Sequence, residues 1–450
     1  MLGVLALGSG PRIVDDAYIT FRYARNLAEG AGLVYNAGER VLGTSAPLFA
    51  VLLGVLQRLT GVAIPALAFS VGAICLPASA FLGYRLARRV CEPSFAAIFI
   101  VAGLSPVDSL RVFSSGMETP LYLLGLLLAL ELACRDRPVT AFVVAGALAF
   151  VHPDAALLIP VLAVALRVGR GRWPWRALAL GLVPAAVTAA VLWAAYGSPI
   201  PFSVTAKRFV YAMPSGHAFS QLSEAILDPV VARETPVAPL VVALLYALVL
   251  ILGRTAFRGL PVLAYAAFSA LSLAAFAVAN PLVFEWYRPP LALASTFVVV
   301  ACAGRLPRVG QAVVALLFVG SVAVHIAAFS PYDPSGREDL YARAGAALAL
   351  RPDETLAAPE IGALGWATRA RVLDTTGLVS PVALRRWPGR PGGGFGAIPP
   401  GLLRETDATA LVTADFFLAP ALASDPGALA GWSEVSFPGL RTVRVFRRAR

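Results

Sequence analysis

Charge is scarce in this sequence. Only 14% of its 450 residues are Asp, Glu, Lys or Arg, while 58% are hydrophobic and the mean hydropathy is +0.75. A soluble globular domain carries about 25% charged residues, so a chain of this length lacks the polar groups to clothe a soluble surface. Repeated apolar stretches of helical length point instead to the bilayer, whose core of about 30 Å is crossed by roughly 20 apolar residues in a helix. Cysteine is rare as well. Cys75, Cys91, Cys134 and Cys302 lie in or at the ends of apolar segments and form no CxxC, which excludes a disulfide framework or a cysteine metal cluster. Lysine is almost missing, Lys207 being the single one. There is no GxGxxG, no Walker motif and no internal repeat. The run RPGGGFGAIPPG (390–401) follows no strand and precedes no helical pattern, so it reads as a loop and not a phosphate-binding turn.

What is present is arginine in short loops. The net charge of +11 and the sequence pI near 9.9 would suggest nucleic acid in a soluble protein. Here the positive-inside rule explains them, and no nucleic-acid partner is expected. Apolar segments occur near 64–84, 94–107, 120–134, 139–151, 155–167, 176–196, 236–253, 260–280, 288–303 and 309–330. The arginine clusters are Arg85/Arg88/Arg89, Arg135/Arg137, Arg167/Arg170/Arg172/Arg176, Arg254/Arg258 and Arg305/Arg308. With ten segments and a short apolar stub at 1–10, all five clusters fall on one side, the cytoplasm. Residues 11–62, 108–119, 197–235, 281–287 and everything after about 331 then face outward. The stub reads as the end of a first span whose start is missing. The fold class expected is a mainly α, polytopic membrane protein of about 10–11 membrane segments, residues 1–330. A small extracytoplasmic α/β domain follows at 331–450, with β-like runs at Thr409–Thr413 and Thr442–Phe446.

The chemistry-bearing residues cluster in the outward segments. Residues 17–29 fit a short amphipathic helix lying along the interface, with Ala17, Phe21, Ala24 and Ala28 on one face and Arg22, Arg25, Asn26 and Glu29 on the other. Asp15 and Asp16 stand at its start. One Asp there serves as a cap; a second carboxylate beside the membrane costs solvation and invites a functional role. Glu118, in SSGMETP, is either a solvated end residue or a site acid. His152-Pro153-Asp154 divides a 29-residue apolar stretch and is either an ordinary turn or a polar cavity opened by the proline. Lys207 and Arg208 would suit a phosphate, Lys as a compact cation, although chance also leaves one lysine. In FEWYRPPL, Trp286 and Tyr287 fit an interfacial aromatic belt, while the pair Glu285 and Arg288 is left unexplained by that. APEIGALGW (358–366) and RVLDTTGLVSP (371–381) look like two short strands with turns, carrying Glu360 and Asp374 as site or loop acids. A base, a cation cluster and a lipid-facing cavity are the parts needed to use a sugar carried on a lipid phosphate.

VDDAYITFRYARNLAEGAGLVYNAGERVLGTSAPL resembles the first outer loop of GT-C fold glycosyltransferases, most like the branch of the mycobacterial terminal arabinofuranosyltransferase. SSGMETPL, YGSPIPFSVTAKR and PEIGALGW…RVLDTTGLVSP are similar to further blocks of that branch. The resemblance implies an inverting glycosyltransferase of the bacterial inner membrane. Its donor would be a polyprenyl-phosphate sugar and its acceptor an envelope glycan, lipid or protein. A first-loop acid would be the base, with Asp15 favoured and Asp16 left as cap or ligand. Arg22, Glu118, His152, Asp154, Lys207, Arg208, Glu285, Tyr287, Arg288 and Glu360 are the candidates for donor phosphate and substrate. The sequence departs from the family where His152 stands in place of an Arg before Pro and an acid. No metal-ligand spacing is visible, no cofactor is implied, and a divalent metal is left open because some family members use one. The rivals are a transporter or flippase of lipid-linked sugars, which would show paired halves, and a non-enzymatic envelope scaffold.

Overall fold

The structure is a computed structural model. It describes residues 1–230, 247–387, 394–395, 398–440 and 442–449, with only the backbone at 208, 212, 394 and 395. Helices dominate, and they fall where the apolar segments stand: Ile64–Ala87, Pro93–Leu104, Thr119–Cys134, Pro138–Leu148, Leu158–Arg170, Trp175–Gly181 with Val183–Tyr196, Leu260–Ala279, Pro289–Ala303 and Arg308–Ala328. Most of the segment expected at 236–253 lies outside the described residues. Proline opens many of these helices, at Pro93, Pro120, Pro138, Pro261 and Pro289. Its fixed φ and missing N–H suit a first turn, although Pro77 lies inside Ile64–Ala87. Gly61, Gly171 and Asn280 close helices in the left-handed conformation.

Among the described residues, three helices are long and apolar enough to cross a membrane alone, Ile64–Ala87, Leu260–Ala279 and Arg308–Ala328; a fourth path is the pair 175–181 and 183–196, bent by 41°. Five of the helices just named are shorter, at 11 to 16 residues, and at about 1.5 Å per residue they reach less than the core thickness. The stretch divided by His152 is broken as its proline requires. A 3-10 turn, Pro153–Leu157, separates Pro138–Leu148 from Leu158–Arg170.

The chain forms two compact units. The first comprises Met1–Arg12, Ala68–Ala189 and Gly216–Pro331. Its hub is the helix Pro289–Ala303, buried at every position, which is what apolarity on all sides demands. Phe297 on this helix packs against Phe99 and Tyr265 at ring separations of 5.2 and 4.5 Å. The arginine clusters meet at one end of this unit. Arg85, Arg89 and Arg135 all pair with the buried Glu131, at 3.4, 3.1 and 2.6 Å, and Arg170 pairs with Asp136 at 2.5 Å. The turn at Val90 and Cys91 abuts Gly259 and Gly304, bringing the remaining two clusters to the same end.

The second unit comprises Ile13–Leu67, Ala190–Ser215 and Tyr332–Arg450. Its sheet has strands β1 (Thr355–Ala358), β2 (Arg371–Asp374), β3 (Ala410–Thr413), β4 (Trp432–Glu434) and β5 (Arg444–Arg448), in the order β2-β1-β3-β5-β4. β1 runs parallel to β2 and β3, whereas β5 runs antiparallel to β3 and β4. The parallel strands β1 and β3 are buried throughout, as strands covered on both faces are. One correction concerns 358–366. It is not a strand: β1 ends at Ala358, and Gly362–Ala367 is the helix that carries the chain across to β2.

The helix Asp15–Ala28 packs on Pro47–Thr60 and on Gly362–Ala367. A Cβ on Gly54 would lie 2.7 Å from the Ala24 carbonyl, so glycine permits this approach. The arginine face of Asp15–Ala28, expected to meet water, is buried. Arg22 donates to the carbonyls of Tyr35 (2.8 Å), Gly365 (2.5 Å) and Ala370 (2.8 Å) and to Asn36 Oδ1 (3.3 Å). Arg25 donates to the Trp366 carbonyl at 2.8 Å and lies over the Trp366 ring. Buried acceptors left without donors are costly. Arg22→Ala is therefore expected to lose about 3 kcal/mol of stability, and Arg22→Lys to recover little because an ammonium cannot serve four directions. Thermal unfolding in detergent measures this; an unchanged midpoint for Arg22→Ala would show that these bonds do not hold the helix.

Candidate active site

Asp15 and Asp16 are neighbours in sequence and opposites in environment. Asp15 opens the helix Asp15–Ala28 but does not cap it; the N-cap position is Val14, which offers no side-chain bond. Asp15 is 5% exposed. Its carboxylate instead accepts the N–H groups of Gly362 (3.2 Å) and Ala363 (2.8 Å) at the start of Gly362–Ala367. A Cβ on Gly362 would collide with the Asp15 backbone and carboxyl, so only glycine admits this contact. Burial, foremost, pushes the Asp15 carboxyl up to about 7; Glu360 and then Asp16 push the same way, against Arg337 and the Ala363 N–H.

Asp16 points elsewhere. Its Oδ2 lies 3.2 Å from Lys207 Nζ, and both side chains keep partial exposure. Lys207 is carried by the helix Phe202–Val210, and Tyr211 just beyond it lies within electrostatic reach of Lys207, Asp16, Asp374 and Glu360. Glu360 binds Arg337 at 3.1 Å, and burial, foremost, raises its carboxyl above the ordinary value despite that arginine. Asp15, Asp16, Lys207 and Glu360, four residues up to 345 positions apart, thus belong to one neighbourhood of the second unit.

The first unit holds a second polar centre. His152 is buried between two carboxylates, with Nε2 3.9 Å from Glu118 and Nδ1 bonded to Asp154. The Tyr122 hydroxyl donates to Asp154 at 3.2 Å, its ring stacks on His152 at 5.0 Å, and Tyr287 meets the same imidazole edge-on at 5.3 Å. Glu118, His152, Asp154 and Tyr287, read separately from the sequence, are one cluster. Among the described residues, no group of three or more His, Cys, Asp and Glu is arranged to hold a metal ion.

Several expectations change. The Arg22 guanidinium is occupied by four acceptors of the protein itself. Arg288 donates to Asp108 at 2.8 Å and to Gln221, so its charge is already answered. Glu285 is exposed and lies 3.6 Å from Arg111. Asp374 is a turn former that accepts from Thr376 and Val379. The Arg208 side chain lies outside the described part. Sequence reading missed Arg337 and Glu338. They sit where acidic first turns are commonplace, at the start of Glu338–Ala347, and only their partners set them apart.

Two solved structures align over nearly the whole chain. ArnT from Cupriavidus metallidurans bound to undecaprenyl phosphate matches at 15% identity with a TM-score of 0.63, covering 99% of this chain and 95% of that one. Its apo state matches at 15% identity and 0.58, covering 98% and 95%. The chain has a GT-C fold. Arabinofuranosyltransferase AftD from mycobacteria aligns with all of this chain but 40% of its own, at 16% identity and a TM-score of 0.41, too low to place the GT-C chain in that branch. Residues 335–446 match the model of a domain of unknown function, DUF8728. No curated protein matches the sequence.

In this GT-C chain the raised Asp15 carboxyl has a consequence for stability. A raised acid favours the folded state only while protonated. Its contribution is complete below the ordinary value near 3.8 and is lost as pH rises through about 7. The thermal midpoint of the wild type should therefore fall between pH 5 and pH 8 relative to that of Asp15→Asn, which mimics the protonated acid. Parallel midpoint curves for the two proteins would show that Asp15 does not titrate in this range.

Proposed function

We propose that this chain is a membrane glycosyltransferase that moves a sugar from a polyprenyl-phosphate donor to a hydroxyl of a cell-envelope acceptor, with inversion. The observation that carries the reading is the accessible Asp16–Lys207 pair in a GT-C fold, close to Asp15 and Glu360. It is supported by the ArnT structure of the same fold, which holds undecaprenyl phosphate. The membrane of this reading is the bacterial cytoplasmic membrane, with the site facing outward as the placement of arginine along the sequence implies. The polyprenyl tail stays in the bilayer, so no nucleotide-binding fold is needed.

The sequence favoured Asp15 as base; the geometry favours Asp16. Both Asp15 oxygens are engaged by backbone N–H groups and the residue is buried, whereas Asp16 is within reach of an incoming hydroxyl. In the proposed step, Asp16 takes the acceptor proton as the acceptor oxygen bonds to the anomeric carbon. The bond from that carbon to the phosphate oxygen breaks, and polyprenyl phosphate leaves with the electron pair. Lys207 holds the departing phosphate as a compact cation. Asp15 positions the helix that bears Asp16.

General-base catalysis contributes about 10²–10⁴ in rate. Asp16→Asn is expected to lose transfer by about that factor with its thermal midpoint kept, and Lys207→Met to weaken donor use. The measurement is sugar transfer from a polyprenyl-phosphate sugar in proteoliposomes. Full activity of Asp16→Asn with loss in Asp15→Asn would return the base to Asp15; full activity in both would remove these acids from the chemistry.

A further inference from the structure

The helix that bears Asp15 and Asp16 begins without a cap of its own. Val14 holds the N-cap position in an extended conformation, and it has no side-chain acceptor to offer. The first N–H groups of any helix need partners from elsewhere. The Asp15 N–H finds one 323 positions away, donating to Glu338 Oε1 at 3.1 Å. The same oxygen accepts the Tyr332 hydroxyl at 2.6 Å and the Arg337 guanidinium at 3.0 and 3.3 Å. Glu338 is buried, and its other oxygen, Oε2, has no partner among the described residues. All of its binding is therefore concentrated on one atom.

We infer that Glu338 is a positioning residue: it supplies in trans the N-cap that the Asp15–Asp16 helix lacks, and thereby holds Asp16 against Lys207. The inference rests on the reading of Asp16 as base given above. Two exchanged caps join at this point. Glu338 caps the helix of Asp15, and Asp15, released from capping its own helix, binds the first N–H groups of Gly362–Ala367. Asp16 follows Asp15 directly, so its direction is set by the turn that Glu338 fixes. A carboxylate is not required for this. An amide at 338 presents the same oxygen, and its nitrogen replaces an oxygen that has no partner to lose.

The test uses the full chain in proteoliposomes, reading kcat and KM for a polyprenyl-phosphate sugar and hydrogen exchange at the amides of residues 15–18. Glu338→Ala should lower kcat about tenfold with the donor KM within about twofold, and speed exchange at these amides about tenfold. Glu338→Gln should behave as wild type. Adding Val14→Ser to Glu338→Ala supplies an ordinary N-cap, whose hydroxyl accepts from the amides of Asp16 or Ala17, and should restore kcat and the exchange protection of those amides. If Glu338→Ala does not fold, recovery of the fold by Val14→Ser is the same result. Failure of Val14→Ser to restore protection, or unchanged kcat and exchange in Glu338→Ala, would overturn the inference. If the wild type transfers no sugar from such donors, the functional reading falls, while the exchange data still decide the capping role.

Discussion

The carboxylate of Asp15 against the N–H groups of Gly362 and Ala363 is the contact on which the second unit's arrangement turns. Two helices from opposite ends of the sequence meet there with almost no intervening side chain, because residue 362 is glycine. The same close approach recurs at Gly365, where a Cβ would collide with the Tyr35 hydroxyl. That hydroxyl donates to the Ile361 carbonyl at 2.5 Å. Arg22 then ties residues 35, 36, 365 and 370 together. A buried charge without partners would be severely destabilising; here nearly every donor has an acceptor, so the arginine specifies one geometry.

This arrangement gives two adjacent carboxylates different surroundings. Burial and backbone donors engage Asp15 in structure, and Lys207 meets Asp16 in a more open place. Equal residue types thus acquire different surroundings, burial against backbone donors for one and a neighbouring cation for the other. In the first unit the same logic gathers a histidine, two carboxylates and two tyrosines around a break that Pro153 makes in an apolar stretch. Buried polar groups persist where they satisfy one another.

Much of the helical framework was legible beforehand. Apolar runs mark the helices from 64 to 328 because a membrane solvent demands continuous hydrophobicity, and the prolines that open them act through local geometry. The gathering of the arginine clusters at one end also followed from loop composition. Other features were not legible. The 358–366 block reads as strand by its small and apolar residues, yet Gly362–Ala367 is helical because Asp15 and the packing of Asp15–Ala28 stabilise its start. Arg22 and Arg25 look like a wet helix face until the segment that covers them is in place.

Sequence by itself determined the solvent, the helical class, the acidic pair and the single lysine, since these depend on composition and on residues near in the chain. Tertiary structure decided which acid is buried. Nothing local distinguishes Asp15 from Asp16; Glu338 and Gly362, more than 300 positions away, do so by meeting the first of the pair and leaving the second to Lys207. Hydrogen bonds of such separation leave no periodicity or motif in the sequence, because each is a relation between two folded surfaces and not a property of either stretch.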